Sequence, residues 1–533
     1  MYYLKPNIKA EPIIWGWYAW PHLISPTTAA GNIVHRHLKI MQSYVQNPEI
    51  HIESAKNPKL IGGPFVDLDG IQTEKMIDLI EYTQEKCSNL IILNTAIKEF
   101  DKALQSEAEG GSLEQFYAKI PVPLKGLIEL IYDLNNHPSI RFIESLIYKK
   151  YYQTSEQSIA MSEVKTDFRK FVLSTPRLDH SDEVYVRLPF SSEKLDHLFR
   201  MKTIPGDIND TADQLQIPAD KYSLFQDFFT KSAPKLPEDR DFNAGGVRVR
   251  YLGHACILIQ TQEVSILFDP VVSYQNQNSN IPRYTFEDLP DFIDYVVISH
   301  NHQDHILFET LLQLRHKIGT VLIPCNRKGA LQDPSLRLIL QHVGFKNVYE
   351  LDEFQSIKLK DGEILGVPFL GEHADLGIHS KLSYFLHLKD KKFILAADSN
   401  NLDPIMYDHI HDITGDIDFL FLGMECDGAP LSWLYGPLLT TPIKRSHDQG
   451  RQLSGSHFEH AWNIVKSLKV DKVFIYAMGQ EPWLGYIMGL QYSDDSFQIV
   501  ESNKLLEACK ANGIESKRLF GKEEWVIHPK ETL

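Results

Sequence analysis

His300-Asn301-His302-Gln303-Asp304-His305 sets three imidazoles and a carboxylate within six residues, directly after the apolar run DYVVIS. Titratable donors crowded this closely are costly unless a cation binds among them. Two histidines one residue apart at a strand end can converge on one metal ion. Asp304 and His305, opening the next element, point towards a second position. The chemistry expected of this motif is metal binding at a dinuclear site.

A dinuclear site needs further donors, and these should stand at later strand ends. Glu372 and His373 follow ILGVPFL, Asp398 follows KFILAA, and Glu425 follows DFLFLGM. Side chains of neighbouring residues in extended backbone point to opposite faces, so one of Glu372 and His373 is expected to reach the metal. Asp398 is placed to bridge two cations. His447, His457 and His460 are rivals for the last position, although SHFEHAW reads as a helix start with solvent-facing histidines.

The elements that must position these residues change texture along the chain. From VRVRYLGHACILIQT onwards, short runs rich in β-branched and aromatic residues alternate with helical patterns such as LFETLLQLRHK. That is α/β texture, with chemistry expected at the C-terminal ends of buried strands. SAPKLPEDRDFNAGG, from Ser232 to Gly246, reads as a linker, which divides the chain into residues 1–240 and 246–533. Before it, Met76 to Leu104, Leu124 to Asn136 and Ser139 to Tyr152 carry apolar residues at helical spacing and read as amphipathic helices. WGWYAWPH (Trp15 to His22) is dense in aromatics, and packing over a core or a partner is the expectation for it.

The bulk numbers restrict the function classes. Among 533 residues, 70 Asp and Glu outweigh 54 Lys and Arg, giving a net charge of −16. Such a surface repels phosphate backbones and disfavours nucleic-acid binding. The five cysteines are scattered, with no C-x-x-C pair, which fits a reducing cytoplasm rather than a disulfide framework. The first residues show no basic run followed by an apolar stretch, so no signal peptide is expected. No run reaches the about 18 apolar residues of a membrane span. A cytoplasmic protein without a membrane partner is the expectation.

YLGHACILI, ILFDPVV, SHNHQDH and AADS, in this order, resemble the metallo-β-lactamase fold, which implies an αββα sandwich behind a mainly helical α+β N-terminal domain. The usual zinc hydrolases of that fold supply a histidine where Glu372 stands and another as the last ligand. This departure is similar to a narrower family known from antibiotic biosynthesis: the diiron β-hydroxylases of amino acids tethered to nonribosomal peptide synthetase carrier proteins. LKPN, WYAWPHLISP, GGPF, GEHADL, AADSNNLDP, LGMECDGAPLSWLYGPL and YAMGQEPWLGY carry that resemblance.

The resemblance implies His300, His302, Asp304, His305, Glu372, Asp398 and Glu425 as ligands of two iron ions, with O2 as co-substrate. Carboxylates in place of imidazoles harden the site and favour iron over zinc. It further implies that Glu372 shifts as an O2 position opens, and that Trp433 and Tyr435 line a substrate channel. The implied partners are an aminoacyl carrier protein, an external reductase and a second copy of the chain, with the N-terminal half as interaction and dimerisation module. His254 and Asp269 are expected to support ligands rather than bind metal. The rival reading is a two-zinc hydrolase cutting a phosphodiester, lactone or thioester, with His373 and a histidine such as His457 as ligands.

Overall fold

The computed structural model describes residues 1–528. Its C-terminal half is built on two seven-stranded sheets packed face to face. One runs Val348–Leu351, Ile318–Pro324, Ile293–Val297, Ser265–Phe268, Ile257–Gln260, Val247–Tyr251 and Glu523–Ile527. The other runs Ser356–Leu359, Gly362–Val367, Ser383–Leu388, Lys391–Leu395, Phe419–Gly423, Lys472–Tyr476 and Glu515–Arg518. The four strands from Ser265–Phe268 to Val348–Leu351 pair in parallel. So do the four from Lys391–Leu395 to Glu515–Arg518.

Strand Phe419–Gly423 shows why these segments are strands. Phe419 and Phe421 enter the core between the sheets, with Phe268, Phe393 and Tyr476. Leu420 and Leu422 face the other way, beneath helices Pro404–Thr414, Phe458–Ser467 and Phe497–Ala511. A strand buried on both faces is apolar throughout, and this one is. The resulting order of helix, sheet, sheet and helix is the αββα sandwich expected from the sequence.

The N-terminal half combines helices with a four-stranded antiparallel sheet ordered Trp17–Tyr18, Ile8–Ile14, Gln157–Glu163 and Val184–Val186. Three expectations need correction here, one being the helix read from Ser139 to Tyr152, which spans only Glu144–Tyr151 because Pro138–Phe142 is a strand. The segment read as a helix from Leu124 to Asn136 instead forms strand Ile128–Tyr132, paired with Pro138–Phe142. Ile128 and Leu130 are buried while Glu129 and Ile131 are exposed, a period of two that the apolar count alone conceals. The long helix read from Met76 to Leu104 is two helices, Thr73–Lys86 and Ser88–Glu107, interrupted at Cys87. The aromatic segment is core: Trp15, Trp17, Tyr18 and Trp20 are each no more than 4% exposed.

No helix or strand lies between residues 231 and 246, yet the two halves share one interior. A single apolar cluster runs from Trp17 and Leu93 through Leu311 to Leu267 and Ile487. A buried ionic network crosses the same boundary. The Arg169 guanidinium donates to Glu11 Oε1 at 2.6 Å and to Glu309 Oε2 at 2.8 Å, and Arg177 Nη2 donates to Glu11 Oε1 at 2.6 Å. Tyr18 and Tyr274 hydroxyls donate to Glu309, each at 2.8 Å. Glu309 sits on helix Phe308–Leu314, which follows the histidine motif.

Candidate metal centre

Each candidate donor lies just beyond the end of a strand. His300 to His305 follow Ile293–Val297, Asp398 follows Lys391–Leu395, Glu425 follows Phe419–Gly423, and Asp269 follows Ser265–Phe268. The chain leaves these strands through left-handed backbone at His254 (φ 52°), Asp269 (φ 38°), Glu372 (φ 65°) and Ala397 (φ 47°). Non-glycine residues adopt that region at a cost of about 1–2 kcal/mol each, which the surrounding packing must offset. At Gly423 a Cβ would stand 2.5 Å from Asp398 Oδ1, so only glycine lets this strand end approach the carboxylate.

The donors converge in overlapping groups. His300, His302, Glu372 and His373 form one; His300, His305 and Asp398 a second; His254, Asp304 and His305 a third. His302 Nδ1 is 2.9 Å from Glu372 Oε1, and His300 Nε2 is 3.7 Å from Glu372 Oε2. Asp398 Oδ2 lies 2.9 Å from His305 Nε2 and 3.8 Å from His300 Nε2, between the two histidines, as a bridging residue must. Glu425 is in none of these groups. It lines the same cavity, of about 310 Å³, together with Asp304, Glu372 and Asp398. His447, His457 and His460 are also outside them: His457 caps helix Phe458–Ser467, and His460 Nδ1 bonds Asn400 Oδ1 at 2.7 Å.

The alternation argument for Glu372 against His373 does not hold. With Glu372, Ala374 and Asp375 all at positive φ, the segment is a turn, and both side chains face the cluster. Lys381 Nζ fixes the turn by donating to the Gly371 carbonyl at 3.0 Å, and Arg451 Nε by donating to that of Ala374 at 2.9 Å.

The outer nitrogens show which way each imidazole presents its lone pair. Asp269 accepts from the Ser299 N–H at 2.7 Å and the Ser299 hydroxyl at 2.6 Å, and pairs with His305 Nδ1 at 2.9 Å. His300 Nδ1 is 2.9 Å from Ser299 Oγ. Protons held on these Nδ1 atoms turn Nε2 of His300 and of His305 towards the cluster, where neither makes a well-angled hydrogen bond although Asp398 Oδ2 stands 2.9 Å from that of His305. Glu372 Oε2 and Asp398 Oδ1 are buried without one too. His302 is turned the other way, with Nδ1 towards Glu372 and Nε2 3.2 Å from Tyr435 Oη. His254 Nε2 pairs with Asp304 Oδ2 at 2.9 Å. His254 and Asp269 thus each bond a residue of the histidine motif from outside it, and Ser299, within the strand end, joins Asp269 to His300 and His305.

Charge points the same way. Burial pushes the Glu372 carboxyl up to about 7 against the pull of His302. Burial, with Asp398, Asp304 and Glu372 nearby, raises Glu425 well above the usual range. Burial disfavours the His305 imidazolium, but Asp398, Asp304 and Asp269 outweigh it and raise its pKa. Several buried carboxylates in one cavity are a large electrostatic cost that cations would relieve. Unpartnered nitrogens and oxygens aimed at common points, in a donor set rich in oxygen, fit two ions of a hard transition metal such as iron.

Trp433 lines the cavity, and its indole N–H donates to the Gly62 carbonyl at 2.9 Å. Tyr435 is buried behind it, against His302. Of the two expected channel residues, one therefore lines the cavity and the other stands behind His302. Among the described residues, no helix is long and apolar enough to cross a membrane.

Residues 3–234 match the diiron non-heme beta-hydroxylase N-terminal domain, and residues 265–430 match a beta-lactamase superfamily domain. The chain is 36% identical over 528 residues to the 4-amino-L-phenylalanyl-(CmlP peptidyl-carrier-protein) 3-hydroxylase of Streptomyces venezuelae, covering 97% of this chain and 98% of that one. The crystal structure of CmlA, a diiron beta-hydroxylase from Streptomyces venezuelae, superposes with a TM-score of 0.91 at 34% identity, covering 99% of each chain. A metal-dependent hydrolase of Listeria welshimeri is 26% identical over 181 residues, 30% of this chain and 76% of that protein.

Proposed function

This chain belongs to the family of CmlA-like diiron non-heme β-hydroxylases, and on that footing we propose that it hydroxylates the β-carbon of an amino acid held as a thioester on a peptidyl-carrier protein. The observation that carries the reading is a buried, oxygen-rich donor set lining one cavity together with apolar side chains, in a chain that matches such a hydroxylase over 97% of its length.

His300, His302 and Glu372 would hold one iron ion and Asp304 and His305 the other, with Asp398 between them and Glu425 facing the same cavity. The iron pair, when bound, supplies the redox chemistry that reduces O2 and delivers one of its oxygen atoms to carbon. The balance requires two electrons and two protons, with water as the second product, so an external electron donor is part of the reaction.

The chain's own task is to place the carbon and keep the site dry. Ile61, Trp433, Leu434, Leu453, Ile487 and Met488 line the same cavity as the donors. They hold an aminoacyl side chain by apolar contact and exclude water, which strengthens every interaction inside. Asp269, Ser299, His254 and Tyr435 hold the ligand rings at fixed orientation, and Glu372 rides on a turn anchored by Lys381 and Arg451. A tethered substrate arrives already oriented along its arm, which lowers the entropic cost of positioning.

The test is mass spectrometry of a panel of carrier-bound amino acids beside the same free amino acids, with iron-loaded enzyme, reductant and O2. Gain of one oxygen on the tethered amino acid alone is the expected result. His373 within the first donor group is what a zinc hydrolase would use. Loss of the thioester without gain of oxygen would establish that reading instead.

A further inference from the structure

Two larger cavities meet the metal cavity at the Gly62–Gly63 turn, and they differ in charge. One, of about 470 Å³, presents the carboxylates of Asp67 and Glu481, and its cation Arg169 is already spent on Glu11 and Glu309. The other, of about 700 Å³, shares Gly62, Gly63, Pro430 and Trp433 with the metal cavity. Its walls are apolar, including Ile40, Phe65, Phe171 and Leu173, and its charged residues are Arg36 and Lys39, with His35 beside them. Among the described residues no carboxylate lines it, in a chain with 70 acidic residues.

Arg36 carries a second signal. It is 8% exposed, and Nη2 donates to the Leu434 carbonyl at 3.2 Å and to that of Trp433, while Nη1 is buried with no partner. Arg36 thus lines the cleft while one nitrogen of its guanidinium stays buried as a donor without its acceptor, and such vacancies are costly. Lys39 is exposed one turn further along the same helical stretch. Lys98 lies outside the cleft lining and donates to the Leu438 carbonyl at 2.9 Å, one residue beyond the lining residue Pro437.

We propose that this cleft is the binding site for the phosphopantetheine arm of the carrier protein, with Lys39 receiving the phosphodiester and Arg36 Nη1 an amide oxygen of the arm. The inference rests on the carrier-tethered reading above and assigns where the tether lies. The arm's chemistry matches the cleft: an anion at one end, amide oxygens along it, and alkyl stretches that need an apolar wall. The indole of Trp433, bonded to Gly62, stands where cleft and metal cavity meet, so the thioester end passes at that point.

The experiment measures binding of the carrier with its arm and of the carrier lacking it, and steady-state hydroxylation of an aminoacyl carrier that the unmodified enzyme accepts. Lys39→Glu should weaken binding of the arm-bearing carrier at least tenfold, raise KM by a similar factor and flatten its dependence on salt. Lys466→Glu, the same charge change on helix Phe458–Ser467, controls for net charge. Equal weakening for the armless carrier would mean that Lys39 reads the carrier's surface, and would overturn the proposal. So would unchanged binding and KM in Lys39→Glu. If the unmodified enzyme hydroxylates no tethered amino acid, the carrier-tethered reading fails instead.

Discussion

Tyr435 Oη stands 3.2 Å from Nε2 of His302, while Nδ1 of the same ring is 2.9 Å from Glu372. The phenol therefore fixes which imidazole nitrogen turns towards the donor cluster. Tyr435→Phe removes that anchor and leaves the ring's volume. Groups that orient a ligand typically contribute about 10–100-fold in metal affinity. A loss of about tenfold is expected, measured by iron competition with a chelator, and wild-type affinity would contradict the role.

Glu372 and His373 both face the cluster, so mutation must separate them. Glu372→Ala should lose iron, whereas His373→Ala should retain about two ions per chain, as a dinuclear clamp requires. Elemental analysis of both variants decides it. The reverse result would reassign the first site to a histidine pattern.

Asp269 binds His305 Nδ1 and both donors of Ser299. Asp269→Asn presents an N–H group where acceptors are needed and favours the His305 tautomer with its proton on Nε2, the metal side. Iron affinity should fall about 10–100-fold, with one ion lost before the other in a titration. Two ions bound with unchanged affinity would refute the tautomer argument.

Glu11 is fully buried among Arg177, Arg169 and Lys9. Burial alone would raise its pKa, but those three cations hold it well below the usual 4.5. The folded value lies under the unfolded one, so its stabilisation is complete above pH 4.5 and is lost as acid titrates the folded carboxylate. Glu11→Gln should cost about 3–5 kcal/mol at neutral pH by stranding buried cations. Its stability should also depend less on pH below 4.5 than the wild type's, as urea unfolding at several pH values would show.

What could be read from the sequence follows from how local each signal is. His300 to His305 lie within one turn after a buried strand, and Asp398 ends another, so spacing alone marks them. Glu372 and His373 misled because alternation holds only in extended backbone, and nothing in GEHADL announces a left-handed residue at Glu372. Hairpin Ile128–Tyr132 with Pro138–Phe142 was concealed because its apolar residues suit both periods. Arg36, Tyr435 and the Glu11–Arg169–Glu309 network act across gaps of 133 to 398 residues, where no spacing rule reaches.

The Glu11–Arg169–Glu309 network bears on how this protein can be inherited and re-engineered. The stretch 231–246 looks like a place to cut, and a lactamase-like half begins just beyond it. Cutting there would leave Glu309, on the helix that follows the metal motif, without Arg169, Tyr18 or a dry surrounding. It would also open the apolar cluster that both halves fill. The halves are therefore not interchangeable parts: a catalytic half transplanted onto a foreign N-terminal partner would carry an orphaned charge at the root of its metal helix. Duplication and divergence can move this enzyme only as one piece.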